Sequence, residues 1–197
     1  MERDFVTVVS GLPRSGTSLM MQMLHAGGLP TVSDGIRRPD DSNPRGYFED
    51  ERVKRLRSDR SWLPQARGRA VKIIHLLLRE LLLDGSLHYR IVFMERPLDE
   101  VLASQRSMLL RGGAKPADEA LVRKAFETQL SQLQAWMATQ PLLTVLRMPY
   151  HQVLREPGVA AQALDGFLGG GLDRAAMAGA VEPALHRERT DAANGTG

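Results

Sequence analysis

The segment VVSGLPRSGTSLMMQML, residues 8–24, constrains the fold more than any other part of the chain. A β-branched run leads into a loop bounded by Gly11 and Gly16, and an apolar helical pattern follows. Two glycines that enclose four residues between a strand and a helix have the spacing of a phosphate-binding loop, in which backbone N–H groups and the helix N-terminus face an anion. The segment therefore predicts a strand, an anion-binding loop and a helix from Thr17 to His25.

The same order of strand and then helix recurs along the chain. Short apolar or β-branched runs predict strands at 5–10, 70–74, 89–94 and 142–148. Apolar residues at helical spacing predict one helix after Pro97 and a longer one at 117–139. This alternation is typical of an α/β fold, because parallel strands need crossover connections. We expect a P-loop-type three-layer sandwich, with a central parallel sheet of about four to five strands flanked by helices and with ligands at the carboxyl ends of the strands.

The composition suits a single domain over residues 1–197. Hydrophobic residues make up 43% and charged residues 25% of the chain, and no apolar run approaches the roughly 18 residues that a membrane span needs. The chain start lacks the pattern of a secretory signal, and the absence of cysteine excludes disulfides and thiolate metal sites. The net charge of +3, without a block of like charges, does not require a nucleic-acid partner. These features favour a cytoplasmic protein without a membrane span or a metal.

Two stretches depart from the regular pattern. Residues 27–66, which include GIRRPDDSNPRGYFEDE, are rich in Gly, Pro, Asp and Arg and show little periodicity. A long irregular stretch inside a compact domain is commonly functional, so we expect a substrate-binding or lid-like segment here. The polar residues 187–197 predict a flexible C-terminal tail.

The loop lacks the lysine that nucleoside-triphosphate enzymes carry. In those proteins Lys and then Ser or Thr follow the second glycine, whereas Thr17 and Ser18 occupy these places here. Arg14, inside the loop, supplies a positive charge, and its planar guanidinium can bind two anionic oxygens. A P-loop nucleotide or small-molecule kinase, with Glu95 as the acid that organises a metal ion, stays an alternative. A non-catalytic nucleotide-binding protein of the same fold is another.

The stretch GLPRSGTSLM resembles the 5′-phosphosulfate-binding loop of the sulfotransferase family, whose members transfer a sulfuryl group from 3′-phosphoadenosine 5′-phosphosulfate (PAPS). In that family a Lys or Arg lies two residues before the second glycine of the loop, as Arg14 does here. The resemblance implies that the donor's 5′-phosphosulfate is bound by Arg14, Ser15, Gly16, Thr17 and Ser18.

A second stretch, IVFMERPLDEVLASQRSML, resembles the family signature that binds the 3′-phosphate. In this signature an Arg at a strand end and a Ser eight residues later hold the phosphate, and Arg96 and Ser104 match them. The physical interpretation agrees, because Arg96 ends a predicted buried strand and Ser104 lies about two turns into the helix that follows.

The likeness to bacterial members of the family spans nearly the whole chain. It continues in SNPRGYFEDERVKRL, AVKII, VLREPGVAAQALDGFLG and VEPALHRER. The glycine-rich basic motif that clamps the nucleotide near the C-terminus of steroid and phenol sulfotransferases is not found. His186, Arg187 and Arg189 form the basic cluster that could replace it.

Sulfuryl transfer needs a base for the acceptor's proton and cations for the charge on the leaving phosphate. Arg14 fits the second requirement, and Lys72 could reach the same region from the neighbouring predicted strand. The resemblance favours Glu49 as the base, because related enzymes often use a Glu from the segment after the loop. His75 is the second candidate, but it follows Lys72 by three residues where steroid and phenol enzymes have a spacing of two. On a continuous strand, a spacing of three places the two side chains on opposite faces.

Other candidates are less specific. Three further acids could serve as the base, namely Asp34, Asp50 and Glu51. His25, His88 and His151 show no ligand spacing and are interpreted as structural. The acceptor is expected to offer a hydroxyl or an amine, and alcohols, sugars, lipids and peptides all stay open because loops determine its shape. The sequence gives no indication of the oligomeric state.

Overall fold

A computed structural model describes residues 3–36 and 46–181 of the chain. The predicted flexible tail and the basic cluster of His186, Arg187 and Arg189 lie outside the described residues, as does part of the predicted lid-like segment. Within these two ranges, no helix combines the length and the apolar character that a membrane crossing requires.

The described residues form one parallel sheet of four strands. The strands are β1 (Val6–Gly11), β2 (Ala70–Lys72), β3 (Tyr89–Glu95) and β4 (Leu143–Pro149), in the spatial order β2-β1-β3-β4. Each neighbouring pair is parallel, with Val8 opposite Val71 and Ile91, and Ile91 opposite Val145. The predicted α/β fold with a central parallel sheet is thus confirmed.

Helices occupy most of the connections between the strands. They are α1 (Thr17–Ala26), α2 (Glu51–Lys54), α3 (Leu98–Arg111), α4 (Glu119–Ala138), α5 (Tyr150–Arg155), α6 (Pro157–Phe167) and α7 (Arg174–Gly179). Two 3₁₀ helices lie at Leu63–Ala66 and His75–Glu80. The second strand is shorter than predicted, because the chain leaves the sheet after Lys72 and turns into the 3₁₀ helix at His75.

Side chains alternate between the two faces of the sheet and build two cores. On one face, Val9, Val92 and Met94 pack with the buried residues of α1, α5, α6 and α7. On the other face, Val8 and Ile91 pack with residues of α2, α4 and the two 3₁₀ helices. This alternation follows from the two-residue period of a strand. The molecule therefore has three layers, with the sheet in the middle.

The strand order creates a crevice between β1 and β3. The chain moves from β1 to β2 on one side, then crosses back so that β3 lies on the other side of β1. In open parallel sheets, such a reversal leaves space outside the carboxyl ends of the two central strands, and ligands commonly bind there. The loop after β1 and the turn after β3 meet at this position.

Candidate functional site

The loop between β1 and α1 requires glycine at both ends. Gly11 and Gly16 have φ angles of 151° and 102°. A Cβ atom at Gly11 would collide with the Ser15 hydroxyl and lie 2.7 Å from the Met94 carbonyl oxygen, and one at Gly16 would lie 2.5 Å from the Tyr150 ring. The tight path of this loop therefore depends on the absence of a side chain at these two positions.

The end of this loop has features that suit an anion. Helix α1 begins at Thr17, and among the described residues no side chain caps it. Ser15 is 1% exposed, and its hydroxyl has no hydrogen-bond partner within the described part of the chain. Uncapped N–H groups at a helix start and a buried hydroxyl are groups that a phosphate or sulfate oxygen can satisfy.

Arg14 has a left-handed backbone conformation, with a φ of 68°. Two residues from the β3–α3 region contact it: Arg96 Nη1 donates to the Arg14 carbonyl oxygen at 3.1 Å, and Arg14 Nε donates to Ser104 Oγ at 3.0 Å. A non-glycine residue in this region costs about 1–3 kcal/mol, and such strain persists where the surroundings hold it. The structure thus brings together the three residues that the two sequence signatures predict.

Groups from several parts of the fold contact Arg96 and form a cradle around it. Its Nε donates to Glu100 Oε2 at 2.8 Å, its guanidinium lies 4.6 Å from the centre of the Tyr150 ring, and its Nη1 reaches the Arg14 carbonyl oxygen. Glu100 is 2% exposed and also lies 2.8 Å from His151 Nε2 through its other oxygen. Burial raises the pKa of the Glu100 carboxyl, but the hydrogen bonds from Arg96 and His151 outweigh it and hold the pKa below its usual range.

Sequence reasoning missed Glu100 and Tyr150, which contact Arg96, and the role of His151, which contacts Glu100. Tyr150 and His151 begin α5, directly after β4, and nothing in their spacing relates them to Arg96. Glu100 could have been found, because it follows Arg96 by one helical turn and residues four apart share a helix face.

A second group forms where β2 ends. Lys72 Nζ lies 3.3 Å from Ser18 Oγ, 3.0 Å from the Tyr47 carbonyl oxygen and 3.3 Å from Glu49 Oε1. The Lys72 side chain is only 10% exposed and that of Glu49 is 29% exposed, so the ion pair is partly shielded from water. Glu49, the preferred base, therefore lies beside Lys72, the predicted cation, and Lys72 lies beside the start of α1.

The neighbouring acids have structural partners. Asp50 caps α2 by accepting from the Arg52 backbone N–H, and the Arg52 side chain donates to both of its carboxylate oxygens. The Arg52 hydrogen bonds hold the pKa of Asp50 below its usual range despite its burial. Asp34 accepts from the backbone N–H groups of Ile36 and Glu51, and Glu51 pairs with Lys54 at 2.6 Å.

His75 lies on the other face of the sheet from Lys72. Its Nε2 is 2.9 Å from Gln129 Oε1, and its ring meets Phe126 edge-on, both on α4. The histidine is 3% exposed, and burial lowers its pKa. Lys72, by contrast, reaches Ser18 on α1. The spacing of three residues therefore separates the side chains of Lys72 and His75, although β2 already ends at Lys72.

A cleft of about 180 Å³ opens beside the loop. It is lined by Leu12, Ser15, residues 93–96, Leu130 and Gln134. Glu95, at the end of β3, pairs with Arg147 at 2.8 Å. Within residues 3–36 and 46–181, no cluster of three or more His, Cys, Asp or Glu side chains could hold a metal ion.

The backbone is similar to those of solved sulfotransferases. No protein-family model and no curated protein matches the sequence. Sulfotransferase STF9 from Mycobacterium avium matches with a TM-score of 0.57 and 12% identity, over 98% of this chain and 71% of that protein. The sulfotransferase domain of the olefin synthase from Synechococcus PCC 7002 matches with a TM-score of 0.53 and 14% identity, over 98% of this chain and 90% of that domain. The resemblance is thus confirmed at the level of the fold, which this chain shares with solved sulfotransferases.

Proposed function

We propose that this protein transfers a sulfuryl group from PAPS to a hydroxyl or amine acceptor. The observation that carries the proposal is the convergence of Arg14, Arg96 and Ser104 at the crevice between β1 and β3. Two guanidinium groups and a hydroxyl from separate elements form a site that suits a doubly phosphorylated nucleotide better than a single phosphate, since each Arg can bind two anionic oxygens.

The donor would be bound by two sets of residues. Ser15, Gly16, Thr17 and Ser18 would hold its 5′-phosphosulfate through the buried hydroxyl and the uncapped start of α1. Arg96 and Ser104 would hold its 3′-phosphate. The bound donor supplies the transferable sulfuryl group, and the remaining chemistry belongs to side chains of this chain.

Glu49 is the proposed general base. Its carboxylate lies 3.3 Å from Lys72 Nζ, and Lys72 lies 3.3 Å from Ser18 Oγ at the start of α1, so the base is close to the anion site. Glu49 would take the proton of the acceptor as the acceptor oxygen or nitrogen attacks sulfur. Lys72 and Arg14 would offset the negative charge that grows on the leaving phosphate. His75 is a weaker candidate, because it is buried against α4.

We further propose that the segment 27–66, in which Glu49 lies, presents the acceptor. Its described part supplies Tyr47 and Glu49 to the Lys72 group. A loop that also carries the base can align the acceptor with it, which is how binding loops on a rigid sheet usually contribute to catalysis.

The test is a thermal-melt titration with 3′,5′-adenosine bisphosphate, the product that PAPS leaves, beside ATP with magnesium. At 100 times its dissociation constant, a ligand of the native state adds about 2.7 kcal/mol, which raises Tm by roughly 5–10 °C for a domain of this size. We expect this shift with the bisphosphate, and we expect Arg96→Ala to abolish it. Arg106→Ala is the matched control, because Arg106 is an exposed arginine on α3, the helix that follows Arg96.

A shift with ATP and magnesium alone would contradict the proposal and favour a kinase. Binding of the bisphosphate without transfer from PAPS to any alcohol, sugar, lipid, peptide or amine acceptor would favour a non-catalytic nucleotide-binding protein.

A further inference from the structure

Groups from α3, from the loop after β1 and from α5 fix the guanidinium of Arg96 in position. Glu100, one turn into α3, accepts from its Nε at 2.8 Å. The Arg14 carbonyl oxygen accepts from Arg96 Nη1 at 3.1 Å. The central carbon of the Arg96 guanidinium lies 4.6 Å from the centre of the Tyr150 ring, on α5. Contacts on two edges and on one face of a planar group define both its position and the orientation of its plane.

Glu100 itself is held from the side opposite Arg96. One carboxylate oxygen accepts from Arg96 Nε, and the other lies 2.8 Å from His151 Nε2. The Glu100 and Arg96 side chains are 3% and 6% exposed, so both charges are nearly removed from water. A carboxylate that only neutralised a surface arginine would not need a second partner, whereas one that orients an arginine benefits from being oriented itself.

We propose that Glu100, held in turn by His151, is a positioning residue that aims Arg96 at the 3′-phosphate of the bound nucleotide. This role rests on the proposed function, because it concerns the anion site of the same reaction. Glu100 does not touch the nucleotide in this proposal. It fixes the Nε edge of Arg96, so that the side chain does not have to be ordered when the phosphate arrives.

The position of the Glu100 side chain and its negative charge should have opposite effects on anion binding. A negative charge beside Arg96 opposes a phosphate, so the carboxylate is unfavourable for anion binding if charge alone matters. Glutamine has the same length and can accept from Arg96 Nε while its amide donates to an unprotonated His151. Glu100→Gln therefore keeps the geometry without the charge, and Glu100→Ala removes both.

The experiment measures the dissociation constants of 3′,5′-adenosine bisphosphate and of AMP for each variant of the full chain. AMP lacks the 3′-phosphate, so the ratio of the two constants reports the proposed 3′-phosphate site, which Arg96 and Ser104 form. We expect Arg96→Ala to abolish the preference for the bisphosphate and Glu100→Ala to reduce it about 10-fold, with AMP affinity unchanged. We expect Glu100→Gln to preserve the preference or increase it.

Asp99→Ala is the matched control. Asp99 precedes Glu100 in α3, has the same charge, and pairs with Arg123 of α4, with 68% of its side chain exposed. Its removal changes the net charge as Glu100→Ala does, and the preference should stay at the wild-type value. Glu100→Asp is the second test if Glu100→Ala does not fold, because a carboxylate one methylene shorter cannot keep both contacts and should also reduce the preference.

Three results would overturn the positioning role. A wild-type preference in folded Glu100→Ala or in Glu100→Asp would do so, and so would a preference lost equally in Glu100→Gln and Glu100→Ala. A fall in AMP affinity that matches the fall in bisphosphate affinity would mean that Glu100 only supports the fold. If the wild-type protein itself has no preference for the bisphosphate, the proposed function fails first, and the positioning role fails with it.

Discussion

Arg14 and Ser104 are joined by a hydrogen bond of 3.0 Å, although 90 positions separate them in the sequence. Arg14 belongs to the loop after β1, and Ser104 lies on the helix after β3. The contact is possible because β1 and β3 are neighbours in the sheet and both end at the same edge. An anion bound by either residue would therefore be close to the other, so the two signatures lie at one candidate site.

Replacement of Arg14 tests the charge of the loop. We expect Arg14→Ala to lower the rate of sulfuryl transfer about 10²-fold, a loss of about 3 kcal/mol in transition-state stabilisation. Arg14→Lys keeps a positive charge and should lose less activity. Steady-state turnover with a saturating acceptor measures both effects, and wild-type turnover in Arg14→Ala would refute the assigned role.

Replacement of Glu49 tests the proposed base. Glu49→Gln should leave the affinity for the nucleotide intact and lower the rate roughly 10²- to 10⁴-fold, the range for loss of a general base. Glu51→Gln is the control, because Glu51 is an acid of the same segment whose side chain is 49% exposed and pairs with Lys54. If Glu49→Gln lowered nucleotide affinity instead of the rate, the pair with Lys72 would have a structural role.

Gly11 and Gly16 should tolerate an added side chain less well than glycines with open space around them. Gly16→Ala places a Cβ atom 2.5 Å from the Tyr150 ring at a φ of 102°, so strain and collision add. Gly28→Ala is the control, because its φ of 87° is also positive but nothing lies within 4 Å of the added atom. We expect Gly16→Ala to cost about 1–3 kcal/mol more than Gly28→Ala, which thermal unfolding would detect as a lower Tm.

Much of this arrangement could be predicted from local patterns. The loop and the strands follow from residues that are close in sequence, where spacing and periodicity are informative. The joint role of Arg96 and Ser104 is what the resemblance to the sulfotransferase family implies. The contact between Glu100 and His151 could not be predicted, because the two residues are 51 positions apart and only the pairing of β3 with β4 brings them together. The acids after Tyr47 posed a similar difficulty. Composition alone suggests several bases, and the family resemblance favours Glu49. The contacts add that Asp50 caps α2, whereas Glu49 pairs with Lys72.

Glu100 should also make the stability of the protein depend on pH in the acid range. Burial raises the pKa of Glu100, but the hydrogen bonds from Arg96 and His151 outweigh burial, so its pKa in the folded state is lower than its ordinary value of 4.5. As the pH falls below about 4.5, the unfolded chain binds a proton at this residue before the folded protein does. The contribution of Glu100 is therefore present above its unfolded pKa and is lost as the pH falls through its folded pKa.

Urea unfolding of the wild type and of Glu100→Gln at a series of pH values measures this contribution. We expect the difference in free energy of unfolding between the two proteins to be constant above about pH 5 and to shift against the wild type as the pH falls, because glutamine does not titrate. Asp50, whose pKa is lowered by Arg52, and His75, whose pKa is lowered by burial, also weaken the fold in acid. Both residues are present in the two proteins, so their effects cancel in the difference. A difference that stays constant down to pH 3 would show that the Arg96 and His151 contacts do not stabilise the ionised form of Glu100.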